Sequence, residues 1–445
     1  MFYIIETDKQ IELLSKLIVP GCYVEVVPMH DHMHSKLTAP SLLYVNTLIK
    51  DQGFILPINH TDGLNVSYDR VNALLSKAEI VYTYNKKTLL YYFMHKNIID
   101  INLMYCLEEY DTVELPKHPS VINWYYSNYP EVYNINTIIP LPKLYERCEN
   151  NYLKLKPIIE QYKHVIEDPC WSFYNNTATG VYYLLEQPGL KTTYESFISL
   201  FTPNHPRYSI LDNIVYNSYN GYNNTSRPTN SFNGINFAAI PKKETHRQAI
   251  IPKKDLFVEF DFDGYHVRLL AELVGYRFSQ ESVHTQLGRL YFDKEELTPE
   301  EYKESKQLTF QILYGGVPDK WRHIEFFDKV HELTQRWWKE FTDNGVVRAP
   351  ISNKPFTTKL KEMNSNKLMN YILQSVETSR NITILKDLLS YLKDKVSQSV
   401  LYTYDAILID FDKKDGKQVL EDIQKILSKG GYPVKYKYGT SLVLQ

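Results

Sequence analysis

Two apolar runs in the second half of the chain carry an aspartate where a buried strand should have none. Residues 257–262 read Phe-Val-Glu-Phe-Asp-Phe, a continuous apolar strand carrying Glu259 and Asp261, and a helical pattern follows over residues 265–275. An acid at the end of a buried strand is costly unless something neutralises it, and a metal ion does that well. An aspartate that merely caps the next helix explains the segment equally well. Residues 400–411 form a hairpin-like pair, 400–405 and 406–411, which puts Asp405 at a tight turn. There, too, an aspartate needs no further function.

Between these strands lies Lys306-Gln-Leu-Thr-Phe310-Gln-Ile-Leu-Tyr314-Gly315-Gly316. Residues four apart share a helix face, so Lys306, Phe310 and Tyr314 form one stripe. A cation and two flat rings suit a nucleotide, but an ordinary core stripe with a snorkelling lysine has the same pattern. Each segment taken singly has a purely structural explanation; the order of the three is what narrows the reading.

In this order, the segments resemble the three polymerase motifs of family A DNA polymerases. The first, Asp-Tyr-Ser-Gln-Ile-Glu-Leu-Arg, is matched from Asp261 to Arg268. The second, Lys-x-x-x-Phe-x-x-x-Tyr-Gly, is matched by Lys306, Phe310, Tyr314 and Gly315. Of the third, His-Asp-Glu, only Asp405 remains, between Tyr404 and Ala406. The Thr-Gly-Arg…Asn-x-x-Asn-Ile-Pro segment is similar to Thr225-Ser226-Arg227 and the stretch from Asn236 to Pro241, followed by Arg247. His284 matches a downstream histidine, and Asn370 with Gln374 matches Asn-x-x-x-Gln. The resemblance covers roughly the last two-thirds of the chain.

It implies template-directed addition of deoxynucleotides to a primer 3′ end, with two Mg²⁺ ions, or Mn²⁺ in their place, held by Asp261 and Asp405. Lys306 would neutralise phosphate, Phe310 and Tyr314 would pack on the nucleotide, and His266 and His284 would line its site. Arg227, Asn236, Arg247, Arg268, Asn370 and Gln374 would contact primer–template DNA, where minor-groove acceptors are common to all base pairs. His266 stands where the family has a glutamate that helps exclude the ribose 2′-hydroxyl. Ala406 removes a carboxylate. A single-subunit RNA polymerase or primase-like enzyme is therefore the competing enzyme, and a catalytically silent primer–template-binding factor is the competing non-enzyme.

The implied architecture is α/β and α+β multidomain: a ribonuclease-H-like N-terminal domain, then a right-hand polymerase with thumb, palm and fingers. The corresponding boundaries are 1–135 for a degenerate 3′–5′ exonuclease-like domain, 136–213 for a shortened thumb region, 214–271 for the first part of the palm, 272–396 for fingers and adjoining helices, and 397–445 for the rest of the palm. Strands are expected near 2–5, 23–27, 41–47, 53–58 and 79–82, with helices near 9–18, 69–76 and 145–165. The segment resembling the nuclease's acidic strand, Tyr23-Val-Glu25-Val-Val27, offers one carboxylate, and Leu89 stands where another acid should be. Proofreading is expected to be absent, and short length with lost proofreading looks phage-like. A short thumb points to low processivity or to help from a processivity partner protein.

Bulk properties are permissive. The 445 residues include 50 Lys+Arg against 52 Asp+Glu, a balance that neither demands nor excludes nucleic acid. The local basic cluster Lys242, Lys243, His246, Arg247, Lys253 and Lys254 is as compatible with a solvated face as with a phosphate track. Cys22, Cys106, Cys148 and Cys170 lie far apart, which argues against zinc ribbons and disulfide frameworks and favours a cytoplasmic setting, the host's if phage-encoded. Neither a signal peptide nor a membrane span is read. His30, His32 and His34 alternate as metal ligands on a strand would, but no fourth ligand is evident, and an exposed polar loop is preferred. Residues 202–234, rich in Asn, Ser, Gly and Tyr, read as a linker, although the interleaved tyrosines also suit nucleic-acid contact.

Overall fold

The structure, a computed structural model, describes residues 3–201 and 210–445. They divide into two compact units. The first comprises residues up to 189 together with 198–218 and 231–235; the second comprises 190–197, 219–230 and 236–445. The expected 135/136 boundary falls inside the first unit, and residues 202–209 of the expected thumb and linker lie outside the described residues.

The first unit is built on a six-stranded mixed sheet of β1 (Tyr3–Ile4), β2 (Cys22–Pro28), β3 (Pro40–Thr47), β4 (Gln52–Pro57), β5 (Val81–Thr83) and β6 (Ile98–Asp100), in the order β1-β4-β3-β2-β5-β6. β3 is buried along its whole length, as its run of Leu, Tyr and Val predicts for a strand covered on both faces. Helices α1 (Asp8–Leu17) and α2 (Tyr68–Leu75) supply Leu14, Val71 and Leu74 to the core that includes Val24, Val45 and Leu56. A Thr7–Gln10 capping box starts α1, satisfying otherwise orphaned amides. Helix α3 (Ile101–Glu109) follows β6. Helix α4 (Leu141–Tyr162) sends Asn151 to Glu25, whose carboxylate also accepts from the Tyr23 hydroxyl at 3.0 Å. Burial raises the Glu25 pKa despite these partners.

The histidine segment departs from expectation. His30 and His34 are buried, so this is not an exposed loop. The His34 Nδ1 accepts from the Lys36 amide at 3.1 Å, and its Nε2 meets the Asn217 carbonyl at 3.0 Å. The His30 Nδ1 accepts from the His32 amide. Burial, then Lys87, pushes the His34 pKa down to about 3, so the ring is a neutral turn anchor. Among the described residues no three His, Cys, Asp or Glu side chains gather as a metal site.

The second unit centres on a four-stranded antiparallel sheet. Its strands are β7 (Leu256–Phe262), β8 (Gln398–Thr403), β9 (Ala406–Phe411) and β10 (Val434–Gly439), in the order β8-β9-β7-β10. Around it lie α5 (Tyr265–Leu273), α6 (Val283–Phe292), α7 (Pro299–Gly315), α8 (Glu325–Asn344), α9 (Ser365–Leu392) and α10 (Gly416–Leu427). Phe257, Phe260 and Phe262 are buried, as are Val258 and the residues opposite it and Phe260, Ile409 and Ile407. The predicted linker is partly structured here: Tyr219–Asn220 pairs antiparallel with Thr229–Asn230.

Candidate active site

β7 is paired on both sides, so its backbone is fixed and only its side chains vary. Asp261 lies opposite Ala406 on β9 and Lys435 on β10; Glu259 lies opposite Leu408 and Lys437. Two residues apart on a strand, Glu259 and Asp261 share a face. β8 and β9 are joined by Tyr404 and Asp405 alone, with Tyr404 in the left-handed region at φ 61°. The Phe262 amide donates to the Asp405 carbonyl at 3.0 Å, fastening the turn to the end of β7. One backbone hydrogen bond thus brings together the two aspartates singled out by the sequence.

Both line a cavity of ≈ 340 Å³, with Glu259 and Glu377 adding acids and Lys306, Lys435 and Lys437 adding cations. Burial, then Asp405 and Glu259, pushes the Asp261 pKa up to about 6. Burial, then Glu377, raises that of Asp405. Both side chains open to solvent through the cavity, which screens part of this repulsion. The donor set fits a divalent cation: hard oxygen ligands whose negative charges lack full neutralisation. With only two aspartates converging, remaining ligand positions would fall to water and substrate oxygens.

The capping box of Thr298 and Glu301, with Pro299 in the first turn, starts α7. Along it Lys306, Phe310 and Tyr314 line the cavity, and the Phe310 and Tyr314 rings stack with centroids 5.8 Å apart and planes 3° off parallel. His284, on α6, sits 5.5 Å from Phe310; burial, then Lys306, lowers its pKa to about 4. His266 Nδ1 is 2.6 Å from the Tyr314 hydroxyl. Arg227 lies 3.7 Å above the Tyr404 ring, a cation–π contact beside the turn.

Eight of the predicted residues therefore line one cavity: Asp261, Asp405, Lys306, Phe310, Tyr314, His266, His284 and Arg227. The others do not. Arg268 is a correction to the expected DNA contacts. It is buried, and it donates to the carbonyls of Asp263, Ser279 and Glu281, so its guanidinium fastens the turn before α6 and is not free for a phosphate. Asn370 donates to the Tyr314 carbonyl at 3.3 Å, helping to cap the end of α7. Asn236 caps a short turn through the Ala238 amide, and Arg247 reaches the Leu442 carbonyl at 3.4 Å. Gln374 is half-buried on α9, outside the cavity wall. Two further acids are structural anchors: Asp410 accepts from the Lys253 and Lys254 amides, and Asp263 pairs with Lys435 at 2.9 Å.

Sequence reasoning did not assign Glu377, Lys435 or Lys437 to the site. The lysines had a signal, since they alternate on a strand and so share a face. Glu377 had a weaker one, an acid following Ile372, Leu373 and Val376 in a helix buried along much of its length.

No protein-family model and no curated protein matches the chain. Among solved structures, it is similar over 99% of its length, and over 99% of the other chain, to the structure described as the POL domain of Pol1 from M. smegmatis in complex with DNA primer–template and dNTP. The TM-score is 0.64 and the sequence identity 13%. The fold is thus that of a polymerase domain, a mixed α/β multidomain architecture. Among the described residues, no helix is long and apolar enough to cross a membrane.

Proposed function

We propose that this protein is a DNA-directed DNA polymerase of the family A type. The observation that carries the reading is the convergence of Asp261 and Asp405 opposite the Lys306–Phe310–Tyr314 face in one cavity of a polymerase-like fold. Asp261 and Asp405 would hold Mg²⁺, which when bound supplies charge neutralisation and activation of a primer hydroxyl. Lys306, reinforced by Lys435 and Lys437, would balance the triphosphate. Phe310 and Tyr314 offer a flat stacked wall to the nucleotide, and neutral His284 closes it beside Phe310. Arg227, next to the turn that carries Asp405, would contact the primer–template minor groove.

The corresponding division is a shortened thumb within 136–213, palm within 214–271 and 397–445, and fingers within 272–396. In the first unit, we read a nuclease-like domain without proofreading. This is supported by Glu25, whose carboxylate is engaged by Asn151 and Tyr23 and whose burial disfavours charge. With its oxygens taken by Asn151 and Tyr23, and with no second acid on its strand, Glu25 does not supply the carboxylate pair that a two-metal nuclease site needs.

The test is extension of a labelled primer–template with dNTPs or NTPs and Mg²⁺, comparing the protein with Asp405→Ala. Primer-dependent dNTP incorporation, lost in Asp405→Ala, is expected. No incorporation by the unaltered protein would favour a silent binding factor. Unprimed synthesis from NTPs would favour an RNA polymerase.

A further inference from the structure

Glu377 has no assigned part in the reading above, yet it is the most enclosed carboxylate lining the cavity. It sits in the middle of α9, buried, with one oxygen 3.2 Å from His266 Nε2 and the other 3.0 Å from Arg227 Nε. Both approaches lie off the hydrogen-bond axes, so the carboxylate acts through its field, on the guanidinium charge at one oxygen and on the polar edge of the imidazole at the other. His266 passes the contact on through its other ring nitrogen to Tyr314 on α7, and Arg227 passes it to the Tyr404 ring. One turn along the same face of α9, Asn381 donates to the Tyr404 carbonyl at 2.6 Å and accepts from the Tyr265 hydroxyl at 2.7 Å. This helix face therefore holds both the start of α5 and the turn bearing Asp405.

The two nitrogens of a neutral imidazole cannot play the same part. A lone pair facing a carboxylate would be repelled, so the proton belongs on Nε2 and the lone pair on Nδ1. Tyr314, whose pKa is pushed up to about 12 by burial and then by Glu377, keeps its proton and donates it to Nδ1. Without the carboxylate, the Tyr314 hydroxyl can donate to Nδ1 or accept from it, and neither tautomer is selected.

We propose that Glu377 is a positioning residue that fixes the tautomer and orientation of His266 and, through it, the Tyr314 end of the nucleotide wall. Its two oxygens face Arg227 and His266, so the role assigned to it is positioning and not metal ligation. The ring geometry is independent of the polymerase reading; the effect on nucleotide binding rests on it.

The experiment uses the full chain with Glu377→Gln, which keeps the shape, alongside His266→Gln and the double variant. In protein labelled with ¹⁵N-histidine, the ring signals absent from His266→Gln identify His266 among the 13 histidines. Glu377→Gln should move those signals away from the Nε2-protonated pattern, with the melting temperature of each variant recorded beside it. In primer extension, Glu377→Gln should raise KM for dNTP by about five-fold while kcat changes by less than about two-fold. The double variant should be no worse than His266→Gln alone, since both changes break one relay. Unmoved His266 signals overturn the proposal, as does additivity of the two substitutions or a loss confined to kcat. If the unaltered protein extends no primer, the polymerase reading fails, while the histidine signals still decide the position of the ring.

Discussion

Asp261 binds a proton more readily than an isolated aspartate because burial, Asp405 and Glu259 all oppose its charge. The sign follows directly. A carboxyl group whose folded pKa is raised from 3.8 to about 6 takes up protons on folding, so the metal-free protein loses this contribution to stability as pH rises through that window. On the proposed function, Mg²⁺ would compete with the same proton. The Mg²⁺ concentration for half-maximal extension should therefore rise as pH falls below about 6, approaching tenfold per pH unit for a single competing proton. A flat Mg²⁺ requirement between pH 7 and 5 would rule this out. Lys306 is a point charge on the opposite wall, and Lys306→Ala should raise KM for dNTP by about tenfold or more while leaving primer–template affinity, measured by anisotropy, nearly unchanged. Asp261, Asp405 and Lys306 are legible in the sequence only in combination, since each alone has a structural explanation and their order along the chain is what marks them. Arg268 enters only through the motif resemblance, and its guanidinium donates to three backbone carbonyls, a local arrangement that no spacing reveals.

Elements were more legible than the turns that join them. The strands at 23–27, 41–47 and 53–58 and the helix at 9–18 differ from β2, β3, β4 and α1 by only a residue or two at each end, because period-two and period-3.6 apolar patterns mark them. The segment before Arg227 was not legible, being held by a residue far away in sequence. Lys354 is fully buried, with its ammonium 2.5 Å from the Ser226 hydroxyl and 3.3 Å from the Asn223 carbonyl. The turn that leads into Arg227 is thereby tied to the strand Pro355–Thr357 and its neighbours. Lys354→Met retains the stem but strands these acceptors, so a loss of about 1–3 kcal/mol in chemical unfolding is expected. Primer–template affinity should fall with it, since Arg227 loses its support. Unchanged affinity at reduced stability would mean that Arg227 is held by Glu377 and Tyr404 alone.

At the scale of the whole molecule, the likeness to a polymerase domain extends over nearly the full chain at 13% identity, so two very different sequences share one architecture. What the sequence does offer is a few short motifs whose residues the fold brings to one cavity. The first unit gave the opposite experience: its sheet was legible, but its histidines were placed at the surface because alternation cannot distinguish an exposed loop from a buried turn. With Glu25 enclosed, a labelled primer incubated with Mg²⁺ and no nucleotide should keep its full length. Shortening by protein carrying Glu25→Gln as well as by the unaltered chain would place nuclease activity elsewhere in the molecule. Returning to the central sheet, Asp261 has Lys435 on one flank and the small Ala406 on the other. Register alone thus gives the cavity a polarity, with its positive border along β10 and its negative border toward the turn after β8. An ion pair entering such a space is sorted before any side chain moves: its anion is drawn to one side of a single strand and its cation to the other.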